Sequence, residues 1–200
     1  MQAKSTIVCI PDISGFTSFM SDFDFDLASK VIPSLLNNII YSNDIGFKVS
    51  EIEGDAVLFY RNGKLPKLGD LIAQCRFFYT EFYKQLEQLK IKYKGKKGAS
   101  KIPKVLGLKI ILHYSEEIGL VQIGKQIKLI GEDVITTHRL LKNNIEISEY
   151  ILISDALMDM YTSESIDDKV DWTPIKKGEI QEEHLGKVGF TYIDLTPLLE

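Results

Sequence analysis

Ile7, Val8, Cys9 and Ile10 form an apolar run with no polar alternation, which predicts a first strand from Thr6 to Pro11 buried on both faces. It runs straight into Asp12-Ile13-Ser14-Gly15-Phe16-Thr17, where an acid and a glycine mark the point at which the chain leaves a sheet. The period then changes. Leu27, Val31 and Leu35 with Ile32, Leu36, Ile39 and Ile40 recur at threes and fours, predicting a helix from Leu27 to Tyr41 whose first turns Pro33 shortens or bends. Phe47 to Glu53 alternates, reaches Gly54-Asp55 and resumes from Ala56 to Tyr60, the pattern of a hairpin. After a polar loop from Arg61 to Lys67, Leu71, Cys75, Phe78, Phe82, Leu86 and Leu89 make one apolar stripe, so Leu68 to Lys90 reads as the longest helix.

Seven lysines, Gly95 and Gly98 crowd the stretch from Lys90 to Lys104, which has little apolar content and reads as a mobile, solvated excursion rather than a phosphate-attracting patch. Val105 to Tyr114 is a predicted strand, followed by a turn at Glu116-Glu117 and a strand from Gly119 to Ile123 that pairs with Gln126 to Ile130. Gly131 to Leu141 reads as a helix, Tyr150 to Ser154 as a strand, Ala156 to Tyr161 as a short helix, and Val188 to Leu195 as a last strand. The order predicts an α+β fold: a central, mainly antiparallel sheet with helices over one face, a split β-α-β arrangement with additions. Neither a repeat nor an interdomain linker interrupts it, so residues 1–200 are expected to form a single domain.

Composition narrows the class. With 44% hydrophobic and 26% charged residues among 200, the chain is an ordinary globule able to bury a core. A net charge of −4 gives no overall reason to expect nucleic acid, and the lysine-rich stretch lacks interleaved aromatics apart from Tyr93. Cys9 and Cys75 lie within apolar runs and are expected as buried thiols. Neither a secretory signal nor an uncharged membrane-length stretch is present, so the expectation is a cytoplasmic protein with no membrane partner and with nucleic acid disfavoured.

The candidate chemistry lies in two carboxylates. Asp12 ends an apolar strand and Asp55 follows the hairpin glycine, so antiparallel adjacency of those elements sets both at one sheet edge. Two carboxylates a few ångströms apart repel unless a cation lies between them, which suggests Mg²⁺ or Mn²⁺ with nucleotide phosphates. The plainer alternative is that each caps a turn. His113, within an apolar strand, reads as a satisfied core histidine, and no histidine–cysteine cluster suggests zinc.

Asp12-Ile13-Ser14-Gly15-Phe16-Thr17 resembles the metal-binding segment of class III adenylyl and guanylyl cyclases, and Glu51-Ile52-Glu53-Gly54-Asp55-Ala56 is similar to their second segment. Leu108 to Glu116 resembles the strand before their hairpin, and Gly131 to Leu140 their next helix. The matches run in family order over residues 5–145. The resemblance implies a ferredoxin-like nucleotidyl cyclase fold, and a lyase that turns a nucleoside triphosphate into a 3′,5′-cyclic nucleotide and pyrophosphate for signalling. It implies Asp12, Asp55 and the Ile13 carbonyl as ligands of Mg²⁺ or Mn²⁺, with Ser14, Gly15, Phe16 and Thr17 receiving phosphate oxygens. It further implies Glu51 and Lys128 at the base, Lys187 as the nearest counterpart of a phosphate-binding lysine, and Arg139 as the transition-state arginine, reaching across a head-to-tail homodimer with shared sites.

Three positions depart from the pattern. Ile135 replaces the asparagine that orients the ribose. Lys128 stands where adenylyl cyclases have aspartate, and it can pair with Glu51. The spacing of Lys187 is irregular. The alternative the resemblance leaves is a degenerate cyclase-like domain that binds nucleotide or protein as a signalling module.

Overall fold

The computed structural model describes residues 4–199. Eight strands, β1 (Lys4–Ser14), β2 (Lys48–Glu53), β3 (Ala56–Asn62), β4 (Gly107–Ile123), β5 (Gln126–Ile130), β6 (Tyr150–Ser154), β7 (Lys176–Glu182) and β8 (Gly186–Asp194), make one sheet. Its order is β2-β3-β1-β4-β6-β8-β7, with β5 paired to β4 alone. Every pairing is antiparallel except β4 with β6. The helices are α1 (Phe16–Asp22), α2 (Phe25–Tyr41), α3 (Leu68–Lys92), α4 (Ile102–Val105), α5 (Glu132–Leu140) and α6 (Asp155–Met158). In the order β1-α2-β2-β3-α3-β4, β3 lies between β2 and β1, the split β-α-β arrangement of a ferredoxin-like core.

The unbroken apolar run of β1 follows from its place in the sheet. Ile7, Cys9 and Ile13 face one core with the stripes of α2 and α3, while Val8 and Ile10 face a second core with Leu58, Ile111, Leu152 and Leu140 of α5. Helices therefore cover both faces, where a one-sided cover was expected. The second face is apolar enough to need one, and α5 supplies Leu140 and Val134 to it. Asp24 caps α2, its side chain accepting from the Asp26 N–H at 3.4 Å, and α2 remains one helix through Pro33. Cys9 and Cys75 are buried and free.

Three expectations are corrected. No turn occurs at Glu116-Glu117: β4 continues for 17 residues, and the two exposed acids mark a register shift against β1 between Lys4 and Thr6, after which Ile118 is again buried. The lysine-rich stretch is an ordered segment. α3 extends to Lys92, a 3-10 turn forms at Ala99–Lys101, and α4 follows, because Ala99, Ile102 and Leu106 dock into the main core. β1 also runs on through Ser14, so Asp12 is held within a strand rather than after it.

Phe59 and Phe78 stack across the sheet–helix interface with ring centroids 5.7 Å apart, both fully buried. Phe78→Ala is expected to cost about 3–5 kcal/mol, read as a lower urea midpoint with an unchanged denaturant slope.

Candidate active site

The antiparallel register of β1 and β3 sets Asp12 opposite Ala56, so Asp55 follows directly at the hairpin end. The Ile13 N–H donates to the Asp55 carbonyl at 3.1 Å and fixes the two segments together. On the other side of β1, Asp12 faces Lys109 of β4, whose Nζ lies 3.0 Å from Asp12 Oδ2. Burial pushes the Asp12 carboxyl above the usual carboxylate range, and outweighs the attraction of Lys109. Asp55 is also raised, first by burial and then by the charge of Asp12. Both shifts describe carboxylates that one ammonium leaves under-compensated. The donors are hard oxygens, so the pair with the neighbouring backbone carbonyl of Ile13 fits a small divalent cation.

The loop after Asp12 has a steric requirement. Gly15 holds φ +80°, and a Cβ there would run into the Val105 carbonyl at the end of α4. Its own carbonyl accepts from the Phe19 N–H at 2.9 Å, opening α1 with Phe16 and Thr17 in the first turn. Ser14 Oγ donates to the Ser148 carbonyl at 2.6 Å. A cavity of about 330 Å³ lies beside this loop, lined by Ser14, Gly15, Lys109, Asn143, Ser148 and Tyr150.

Glu51 and Lys128 meet as an ion pair, carried by β2 and β5, while Ser50 Oγ donates to the Ile127 carbonyl at 3.2 Å. The remaining residues lie on α5 and on the β7–β8 hairpin. Ile135 is 55% exposed on α5. Arg139 Nε lies 3.6 Å from Glu182 of β7, the strand at the far end of the sheet from the hairpin. Lys187 pairs with Glu179 at 2.6 Å on the exposed β7–β8 hairpin. Within one chain Arg139 and Lys187 are thus turned to acids of β7, while His138, the neighbour of Arg139, has Nδ1 3.5 Å from Glu53 of β2.

His113 is buried and bonded at both nitrogens, Nδ1 to Ser154 Oγ at 2.8 Å and Nε2 to Asp133 Oδ1 at 3.2 Å. Asp133 accepts again from Ser115 Oγ at 2.5 Å. The network ties the first turn of α5 to β4 and β6, so this histidine positions the helix that bears Arg139. Lys109 is the site residue that sequence reasoning passed over. Its signal was a lone cation inside an apolar strand, and its meaning required the β1–β4 register.

The profile of the family described as "Protein of unknown function (DUF2652)" matches residues 32–150, more than half of the chain. The chain belongs to that family. This DUF2652 member is 28% identical over 154 residues to "Uncharacterized protein Rv2561/Rv2562" of Mycobacterium tuberculosis, covering 75% of this chain and 67% of that one. Among solved structures it resembles the adenylyl cyclase CyaB from P. aeruginosa, with a TM-score of 0.70 at 17% identity over 96% of this chain and 95% of that one. It also resembles the guanylate cyclase domain of RhGC from Catenaria anguillulae, solved in complex with GTP, with a TM-score of 0.62 at 18% identity over 95% and 96% of the two chains. At these identities the likeness carries the fold, which is that of class III cyclase catalytic domains.

Burial lowers the His113 pKa, outweighing Asp133, so the DUF2652 fold favours the neutral ring. The stability this ring contributes is complete above its unfolded value of about 6.5 and declines as pH falls below that value towards the lower folded one. Thermal melts from neutral to mildly acidic pH should show that loss, and His113→Gln should flatten it.

Proposed function

We propose that this chain is a metal-dependent nucleotidyl cyclase, converting a nucleoside triphosphate into a 3′,5′-cyclic nucleotide and pyrophosphate. The observation that carries this reading is the pair Asp12 and Asp55, set side by side by strand register and raised by burial, next to the ammonium of Lys109. Asp12, Asp55 and the Ile13 carbonyl would hold Mg²⁺ or Mn²⁺, which supplies Lewis-acid charge to the triphosphate and acidity to the ribose 3′ hydroxyl. Lys109 stands where it can turn from Asp12 to a phosphate oxygen. Backbone N–H groups of Ser14 to Thr17 would meet the triphosphate, and Gly15 keeps that turn tight. Glu51 and Lys128 offer a base one acceptor and one set of donors.

Arg139 would answer the charge that develops on the α-phosphoryl group. Within one chain its guanidinium is turned to Glu182, and the reading pairs it with a head-to-tail homodimer in which each site takes this arginine from the other subunit. Exposed Ile52, Ile123, Ile127 and Ile130, on β2 and around the β4–β5 hairpin, offer apolar surface for that contact. The soluble, cytoplasmic setting of such an enzyme belongs to the same proposal.

A second reading has a specific observation in its favour. Ile135 is exposed where a ribose-orienting asparagine is absent, which suits a cyclase-like domain that binds nucleotide without turning it over.

Incubation of the protein with each of the four triphosphates and Mn²⁺, followed by mass spectrometry, should yield a cyclic nucleotide and pyrophosphate from at least one. Tight calorimetric binding without product would select the second reading. Asp12→Asn or Asp55→Asn should lower turnover at least about a hundredfold. Mixing inactive Asp55→Asn with inactive Arg139→Ala should restore about a quarter of the activity if sites are shared across a two-fold dimer, and none if each chain works alone.

A further inference from the structure

The lysine-rich segment has no part in the chemistry above. Residues 90–104 hold seven of the chain's 24 basic side chains and none of its 28 acidic ones, leaving 17 basic against 28 acidic elsewhere. The excess is therefore concentrated at one end of an otherwise acidic molecule. The docking of Ala99, Ile102 and Leu106 into the core makes that end a fixed platform. Lys92, Lys94, Lys97, Lys101 and Lys104 are exposed, and among the described residues none has a carboxylate within ion-pair distance.

Two large apolar side chains share that end. Helices α2 and α3 run antiparallel, with Gln85 Nε2 donating to Ser34 Oγ at 2.8 Å, so the start of α2 lies beside the end of α3. Lys96 Nζ reaches Asp26 at 3.1 Å across the same junction. Phe25, at the start of α2, is 74% exposed, and Ile91, between Lys90 and Lys92, is 72% exposed. Acids oppose the cluster: Asp26 takes Lys30 and Lys96, while Asp22 and Asp24 line the same cavity as Lys97 and Lys101. The five unpaired lysines still outnumber those two acids.

We propose that this end, formed by the start of α2 and residues 90–104, docks on an anionic lipid bilayer. Lysines at such a surface gain by attraction to headgroups, while apolar side chains among them gain by entering the boundary with the acyl chains. Nucleic acid accounts for less of what is present. Ile91 offers nothing to bases or phosphates, no arginine lies in the segment, and the Tyr93 ring is packed against the core with Lys92 Nζ 5.5 Å from its centre. The sequence-level expectation of no membrane partner rested on the lack of an apolar span, and a peripheral surface needs none.

Co-sedimentation of the 200-residue chain with vesicles tests the proposal. Binding is expected to vesicles of phosphatidylcholine with about 30% phosphatidylserine in low salt, to be at least about tenfold weaker on phosphatidylcholine alone, and to fall when salt is raised to about 0.5 M. Lys94→Glu, Lys97→Glu and Lys101→Glu combined should weaken it about a hundredfold. Phe25→Ser with Ile91→Ser should weaken it about fivefold while leaving the salt dependence in place. All five side chains are exposed, so melting temperature checks that the variants fold. The salt and lipid dependence of the wild-type chain decides the matter if they do not. Absence of lipid-dependent sedimentation, wild-type binding by the charge-reversed variant, or capture of homopolymeric RNA without vesicles would each overturn the proposal.

Discussion

The register between β1 and its two neighbours is the constraint on which the molecule depends. β1 is paired on both edges and buried on both faces, so it has no freedom to slide without moving apolar side chains out of two cores at once. That rigidity fixes Asp12 opposite Ala56 on one side and opposite Lys109 on the other. Asp12 is thus carried by the most constrained strand, and the Ile13 N–H ties the turn residue Asp55 to it.

The second core has a different character from the first. The face under α2 and α3 is closed by two long helices, whereas the opposite face has one nine-residue helix, the β4–β5 hairpin and several exposed isoleucines. α5 is held at its start through Asp133, by His113 and Ser115, and at its end by Leu140 in the core. Arg139 rides on that fixed helix but points its charge at Glu182, so its position is set by the sheet while its partner is only a surface acid.

Much of this was legible in the sequence, because period-2 and period-3.6 patterns report faces. The two long helices, the β2–β3 hairpin and the split β-α-β order could be read directly, and so could the adjacency of Asp12 and Asp55. What escaped required information that is not local. Glu116-Glu117 looks like a turn because two successive acids break an apolar run, yet pairing with β1 carries the strand through them. The lysines of residues 90–104 concealed Ala99, Ile102 and Leu106, three positions at helical spacing in a run too short to signal a helix by periodicity. Lys109 was an unremarked cation until strand register gave it a partner. Arg139 and Lys187 could be assigned only by resemblance, and within one chain both are paired with acids of β7.

The contact of Gly15 with the Val105 carbonyl joins two regions otherwise discussed apart. Gly15 opens the loop after Asp12, and Val105 closes the lysine-bearing segment, with no side chain between them to absorb a displacement. A push on α4 would therefore be transmitted backbone to backbone, like a lever against a stop, to the turn that follows the buried carboxylate. In this fold the basic end and the acidic edge meet at that backbone contact.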